Sequence, residues 1–361
     1  MDSIANLSDN DRLSIFQNTS IAKHIPVAMV EKDFWTCWVL YKLFSDKEMA
    51  EMLRFKGGTS LSKAYHLIER FSEDLDLILT KEKILDGNED LFKPSNSKQK
   101  LFTKQISERT AQYVSTTLKE KIEAILGSIV NVYTDYEYAQ AALARRIQST
   151  SLSTTTEGSH ALTKYKYDSN ETDNKNLHII YPKVSDDVYL RPDILLEIGI
   201  MSAWIPNEPR NIFPYIAEAY PKLEITPAIV HTIKAERTFW DKATILHREY
   251  FRPENTNTPI RYSRHYYDLH KMACSEIKES ALADYQLLAD VSSRKDKLYH
   301  CAWAMYDLAK PGTLRLLPNK NNSEILKQDY SAMQRMIFGD VPEWEMILEN
   351  LEKLENEINK A

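Results

Sequence analysis

Only eight of the 361 residues are glycine, and two of those eight are adjacent, at Gly57 and Gly58. That is about a third of ordinary usage. A chain so poor in glycine has few of the left-handed turns that a many-stranded sandwich needs. It also lacks the glycine loops of the common cofactor folds. There is no G-x-G-x-x-G, no G-x-x-x-x-G-K-[ST] and no G-x-S-x-G, so dinucleotide, P-loop and serine-hydrolase chemistry have no entry point. Where two glycines do stand together, a tight backbone approach is expected.

The length predicts two lobes. Apolar residues at 43% and charged residues at 27% exclude global disorder. A net charge of −6 means that any nucleic acid must be met by a local patch. Cys37, Cys274 and Cys301 form neither a disulfide ladder nor a C-x2-C zinc pattern, which fits a reducing compartment. The polar, acidic start MDSIANLSDNDR is unlike a signal peptide, and no run of 18 apolar residues occurs. A cytoplasmic location away from membranes is the expectation.

Periodicity predicts a helix over 27–44, with Val30, Phe34, Cys37, Trp38, Tyr41 and Phe44 on one face and Pro26 at its start. A short apolar run at 52–55 ends at the glycine pair. A helix striped by Leu61, Ala64, Tyr65 and Ile68 follows, and then a strand at 74–79. Residues 82–128 read as a polar loop and a long helix carrying Lys93, Lys98, Lys100, Lys104 and Arg109; 149–159 reads as a low-complexity loop. Strand patterning returns at 163–167, 178–183 and 188–200. From Ile233 onward the pattern is helical, at 233–249, 263–274, 280–309, 323–338 and 342–359. The expected class is α+β, a mixed-sheet lobe over 1–230 followed by a helical lobe over 231–361.

The strongest chemical signal joins Gly57-Gly58-Thr59-Ser60 to Asp74-x-Asp76. A glycine turn entering a helix that Thr59 or Ser60 caps presents N–H groups and hydroxyls suited to a phosphate. On a strand Asp74 and Asp76 face the same way. Paired carboxylates repel unless a cation lies between them, and hard oxygen ligands of this kind suit Mg²⁺ or Mn²⁺. The plain alternative is the solvent face of an edge strand. Glu197, in the most apolar run of the chain, is expected to be buried and therefore paired, protonated or on a metal; Asp193 shares its face beside Pro192. In the later helices Lys242 lies between Phe239 and Leu246 and is directed inward, as a point charge suited to triphosphate oxygens or as a snorkelling lysine. Asp268 stands in a basic cluster. His247, His265 and His270 have no metal-ligand spacing, and the 20 tyrosines and 6 tryptophans read mainly as core.

Together, Glu31-Lys32-Asp33-Phe34-Trp35, the Gly57–Ser60 turn, Arg70-Phe71-Ser72-Glu73-Asp74-Leu75-Asp76, Thr238-Phe239-Trp240-Asp241-Lys242 and Tyr267-Asp268-Leu269 resemble the AbiEii/AbiGii-type toxin family. These are nucleotidyltransferase-like proteins of the DNA polymerase β superfamily. The resemblance spans about 30–350 and leaves roughly 85–185 unmatched. It implies a minimal nucleotidyltransferase fold, abortive-infection or type IV toxin–antitoxin activity, and an antitoxin partner. By position, Gly58 and Thr59 or Ser60 would hold the phosphates, and Asp74 and Asp76 the metal; Gly57 and Ser72 complete the expected nucleotide-binding set, and Glu197, read from its strand as a third carboxylate, the expected metal set. Lys242 would contact the triphosphate, and Asp268 would complete the catalytic set. Some members add nucleotides to the 3′ end of tRNA. The expected reaction is transfer from an NTP to such an RNA end, with Lys93–Arg109, Arg145, Arg146, Lys164 and Lys166 as the patch. Transfer to a protein hydroxyl, or a silent nucleotide-binding module, are the rival expectations.

Overall fold

A computed structural model describes residues 1–80, 84–85, 91–150, 175–187, 190–200 and 203–360, with backbone alone for 145–150. Its described strands are β1 (Leu53–Lys56), β2 (Asp74–Leu79), β3 (Asn131–Thr134), β4 (Asn176–Ile180), β5 (Ile194–Gly199), β6 (Asn207–Ile212) and β7 (Ala228–Ile233). They form one mixed seven-stranded sheet in the order β3-β4-β5-β2-β1-β7-β6. The fold is α+β. β2 runs antiparallel to β1 and parallel to β5, so it lies in the middle of the sheet.

Alternation along β2 separates two chemistries. Leu75, Leu77 and Leu79 join the main apolar cluster with Phe34, Trp38 and Leu40 of the helix Val27–Ser45. Asp74 and Asp76 point to the opposite face. That helix is buried almost all round rather than along one stripe, because the helix Asp9–Lys23 packs on it as well as the sheet. A helix apolar on every side belongs inside the molecule. Its three buried charges each clamp a different segment. Glu31 accepts from the N–H groups of Val184 and Ser185; Lys32 pairs with Glu73 at 3.2 Å; Asp33 pairs with Lys63 at 2.6 Å.

The glycine turn differs from its expected capping. The helix Gly57–Lys63 begins at the glycine pair, with Lys56 as N-cap and no capping side chain. Thr59 and Ser60 are buried within its first turn. Thr59 Oγ1 donates to the Asp74 carbonyl at 2.6 Å and Ser60 Oγ to the Gly57 carbonyl at 2.8 Å. Thr59 thereby ties the turn to β2, and Ser60 closes the turn on itself.

Residues after 234 are helical, around a second apolar cluster that includes Phe239, Trp240, Tyr266, Tyr330 and Trp344, and that also takes in Leu61 and Ile68. The helix expected over 280–309 is interrupted. Asp284 caps a new helix, Tyr285–Leu298, by accepting from the Leu287 N–H at 2.9 Å. The segment 69–71 pairs with the chain's later part: Phe71 N–H donates to Met336 O at 2.7 Å and Phe338 N–H to Glu69 O at 2.9 Å. Strands β3, β6 and β7 had no expectation. β5 is shorter than the 188–200 pattern. The strand expected at 163–167, most of the 149–159 loop, and Lys164 and Lys166 lie outside the described residues, as do the side chains of Arg145 and Arg146.

Candidate active site

Register assembles the site. Asp76 pairs with Glu197 on β5 and with Lys56 on β1, so all three side chains project from the same face as Asp74. Gly57 lies against this face with φ +79°, and a Cβ there would fall 1.9 Å from Asp76 Oδ2. Only glycine leaves room for the carboxylate. At Gly58 a Cβ would meet the Arg70 guanidinium at 2.7 Å and Ser72 Oγ at 2.9 Å. Ser72 is therefore beside the turn, as the motif order expects.

The two aspartates are half-buried. Asp74 Oδ1 is buried with no hydrogen bond, and the Arg191 guanidinium lies 3.9 Å from it. Burial raises the Asp74 pKa; Arg191 opposes this, and Asp76 and Glu73 add to it. Glu197 is corrected from buried to exposed, at the open side of the same face. Water reaches it, yet the surrounding protein crowds its hydration. That partial loss of hydration, with the charges of Asp76 and Asp74, pushes its carboxyl up to about 7. Asp193 is withdrawn from the open face: it is buried, with His178 Nδ1 at 2.8 Å and Arg191 at 3.1 Å. Burial alone would raise its pKa, but these partners hold it at about 2.

A second group comes from the helices Ala235–Tyr250 and Ser263–Ala273. Asp268 is fully buried and takes a bidentate pair from Arg70, at 2.7 and 2.8 Å, plus Lys242 Nζ at 2.8 Å. Burial again favours the neutral carboxyl, but Arg70 and Lys242 overcome it and keep Asp268 near 2. Lys242 also meets His265 Nδ1 at 3.1 Å. An ammonium only donates, so that nitrogen accepts and the proton is on Nε2. Burial and the neighbouring cations hold His265 neutral. Burial draws Lys242 below the usual lysine range, against the pull of Asp268. Arg70 thus ties the glycine turn to both Asp268 and, through it, Lys242.

Among the described residues no three His, Cys, Asp or Glu side chains converge closely enough to cage an ion. The donors do suit a cation held jointly with a ligand. Asp74 and Asp76 share a face, and one oxygen of Asp74 is buried and unmatched. Mg²⁺ commonly takes one or two carboxylates and completes its shell with water and phosphates. Of the histidines read as lacking metal spacing, His247 meets Met305 O at 2.9 Å and accepts from Arg315 N–H at 3.1 Å, His265 meets Lys242, and His270 Nδ1 is buried without a hydrogen bond among the described residues. Four groups had no functional expectation: Lys56, Arg70, Arg191 and Arg264. For Arg70 the signal was its position in the motif next to Ser72. Lys56 owes its place to strand register, and Arg191 to the segment that leads into β5 beside β2; one sequence prints neither pairing.

Residues 38–350 match the family described as nucleotidyl transferase AbiEii toxin, type IV TA system. The chain belongs to this family. It is a nucleotidyltransferase toxin of a type IV toxin–antitoxin system. Among solved structures it is similar to MenT4, a nucleotidyltransferase toxin from Mycobacterium tuberculosis H37Rv, at 12% identity over 98% of this chain and 99% of that one. The TM-score is 0.41, too loose a likeness to argue from. No curated protein is matched. In this AbiEii-family chain, no helix among the described residues is long and apolar enough to cross a membrane.

Proposed function

We propose that this AbiEii-family chain transfers a nucleoside monophosphate from an NTP to an acceptor hydroxyl, a tRNA 3′ end, and so arrests growth in the cytoplasm until an antitoxin counters it. The observation that carries the reading is Asp74 and Asp76 on one strand face against the Gly57 turn, with a buried, unmatched oxygen on Asp74. In the transfer, the acceptor oxygen bonds to the α-phosphorus, the bond from that phosphorus to the bridging oxygen breaks, and pyrophosphate departs. The hydroxyl proton passes to solvent or to a carboxylate of the cleft. Asp74 and Asp76, with Glu197 across the register, would hold Mg²⁺, which when bound polarises the phosphoryl oxygens and lowers the acceptor's pKa.

The chain's own residues do the rest. Gly57 and Gly58 keep side chains out of the nucleotide's approach, and Ser72 stands beside them. Thr59 and Ser60 fix the turn rather than donate to phosphate, since their hydroxyls are already engaged. Lys242 has three donors, two of them committed to Asp268 and His265, which leaves one for the triphosphate. Asp268 positions Arg70 and Lys242. The helical lobe over 231–361 and the sheet lobe over 1–230 form the two walls. Helix Asn96–Tyr113 offers exposed Lys98, Lys100 and Lys104 as part of an RNA patch.

The test is incubation of the protein with each labelled NTP, Mg²⁺ and either total RNA or RNA-free lysate. Label in the tRNA band, lost in Asp76→Ala, is the expected result. Label in protein alone moves the acceptor to a protein hydroxyl. No label in either fraction, with nucleotide still bound, leaves a silent binding module.

A further inference from the structure

The helix Ser263–Ala273 is tied down over the start of β2 at several points. Asp268 holds Arg70, and Arg261, just before the helix, reaches Glu73 at 3.1 Å. Asp329 accepts from the N–H groups of Arg261 and Ser263, at 2.6 and 2.9 Å. Between these anchors, one turn before Asp268 and on the same helix face, is Arg264. Residues 70 and 73 bracket Ser72 and lead into Asp74, so a side chain between their partners stands over the site face. The electrostatics agree: the charge of Arg264 acts on Glu197 across the cleft and on Lys242 and His265 behind it.

Arg264 differs from its neighbours in one respect. Arg70 and Arg261 are engaged by carboxylates and Lys242 by Asp268. Arg264 is half-buried, and among the described residues its guanidinium makes no hydrogen bond or ion pair. Its nitrogens are not among the buried polar atoms that lack a partner, so they face solvent with five N–H donors open to a ligand that brings acceptors. Multiple anionic oxygens in fixed geometry are what a guanidinium fork matches best.

We propose that Arg264 is the polyphosphate-binding residue of the cleft, its guanidinium taking the β- and γ-phosphate oxygens of the nucleotide, the part that leaves as pyrophosphate. This inference rests on the nucleotidyl-transfer reading and deepens it. Lys242 contributes one remaining N–H from a buried position, and Arg264 supplies most of the phosphate contacts from an accessible one. The carboxylates of β2 and β5 repel a free triphosphate, so a cation on the opposite wall is what admits it.

The experiment is isothermal titration of the full chain with two probes, inorganic tripolyphosphate and an α,β-methylene NTP that cannot transfer, each with and without Mg²⁺. Four proteins are compared: wild type, Arg264→Gln, Arg264→Lys and, as a control for net charge, Lys320→Gln at an exposed position. Arg264→Gln should weaken both probes at least tenfold. Arg264→Lys should recover part of the loss, since it keeps the charge without the fork, and Lys320→Gln should match wild type. Because the Arg264 guanidinium has no partner among the described residues, the melting temperature of Arg264→Gln should stay close to that of wild type. If that variant does not fold, Arg264→Lys decides: weaker binding supports the assignment, and wild-type affinity overturns it. Equal binding by wild type and Arg264→Gln overturns the assignment and leaves the transfer reading standing. Failure of wild type to bind either probe overturns both.

Discussion

The Asp76 carboxylate occupies the space left by the missing side chain at 57, on the half-buried face of β2, so its removal opens no hole in the core. Asp76→Ala should lower transfer by at least 100-fold, about 3 kcal/mol in the barrier. The melting temperature should change by only a few degrees, and an active, folded Asp76→Ala protein would discard the site. Asp268 behaves in the opposite way. Its loss leaves Arg70 and Lys242 buried without their counter-charge, so Asp268→Asn should cost about 3–5 kcal/mol of stability at neutral pH. Its pH signature has a definite sign. The unfolded aspartate takes up a proton near pH 4, whereas folded Asp268 stays ionised down to about 2. Between those values the unfolded chain binds more protons, so stability falls as the pH falls. Urea titrations from pH 5 to 2 should show a shallower acid slope in Asp268→Asn than in wild type.

Elements, more than single positions, decide where these groups meet. The Glu31-Lys32-Asp33 triplet is carried by a helix that never reaches the cleft, yet Lys32 holds Glu73 immediately before Asp74, and Asp33 holds Lys63 at the end of the glycine helix. Lys32→Met would leave Glu73 buried with, among the described residues, only Arg261 and the Arg191 N–H as partners. A loss of about 3–5 kcal/mol in denaturant unfolding is expected; unchanged stability would refute the clamp. This part was only half legible in sequence. Period-two alternation was enough to put Asp74 and Asp76 on one face, and glycine scarcity drew attention to 57 and 58. The local capping rule then gave the wrong job to Thr59 and Ser60, because a tertiary acceptor, the Asp74 carbonyl, competes for the hydroxyl. Glu197 was misjudged for a related reason. An apolar run describes the core-facing side of β5, and says nothing of whether the other side is covered. Nor does one chain state strand pairing, so Lys56 opposite Asp76 and Arg191 beside Asp74 could not be read.

For the whole molecule, the reading makes a physiological claim. Expression of the wild-type chain should arrest growth reversibly, and Asp74→Ala, expressed to the same soluble level, should not. Plate counts and growth curves under an inducible promoter measure both, and sustained growth with abundant soluble wild type would contradict the toxin role. The architecture makes such a comparison fair. Asp74 contributes no ion pair to the joint between the two apolar clusters, which is held instead by Arg70 with Asp268 and by the backbone pairing of 69–71 with 336–338.

That joint also sets a clock. Asp74 and Asp76 are synthesised first, but Arg70 receives its counter-charge only when residue 268 has emerged, and its backbone partner only at Ile337. At about 5–20 residues per second, translation takes roughly ten to fifty seconds to cross that gap. A chain still on the ribosome therefore carries its carboxylate pair without the opposing wall, and transfer as proposed waits until residues 268 and 337 have both emerged. A cell making this protein has that interval in which a neutralising partner can be produced before there is anything to neutralise.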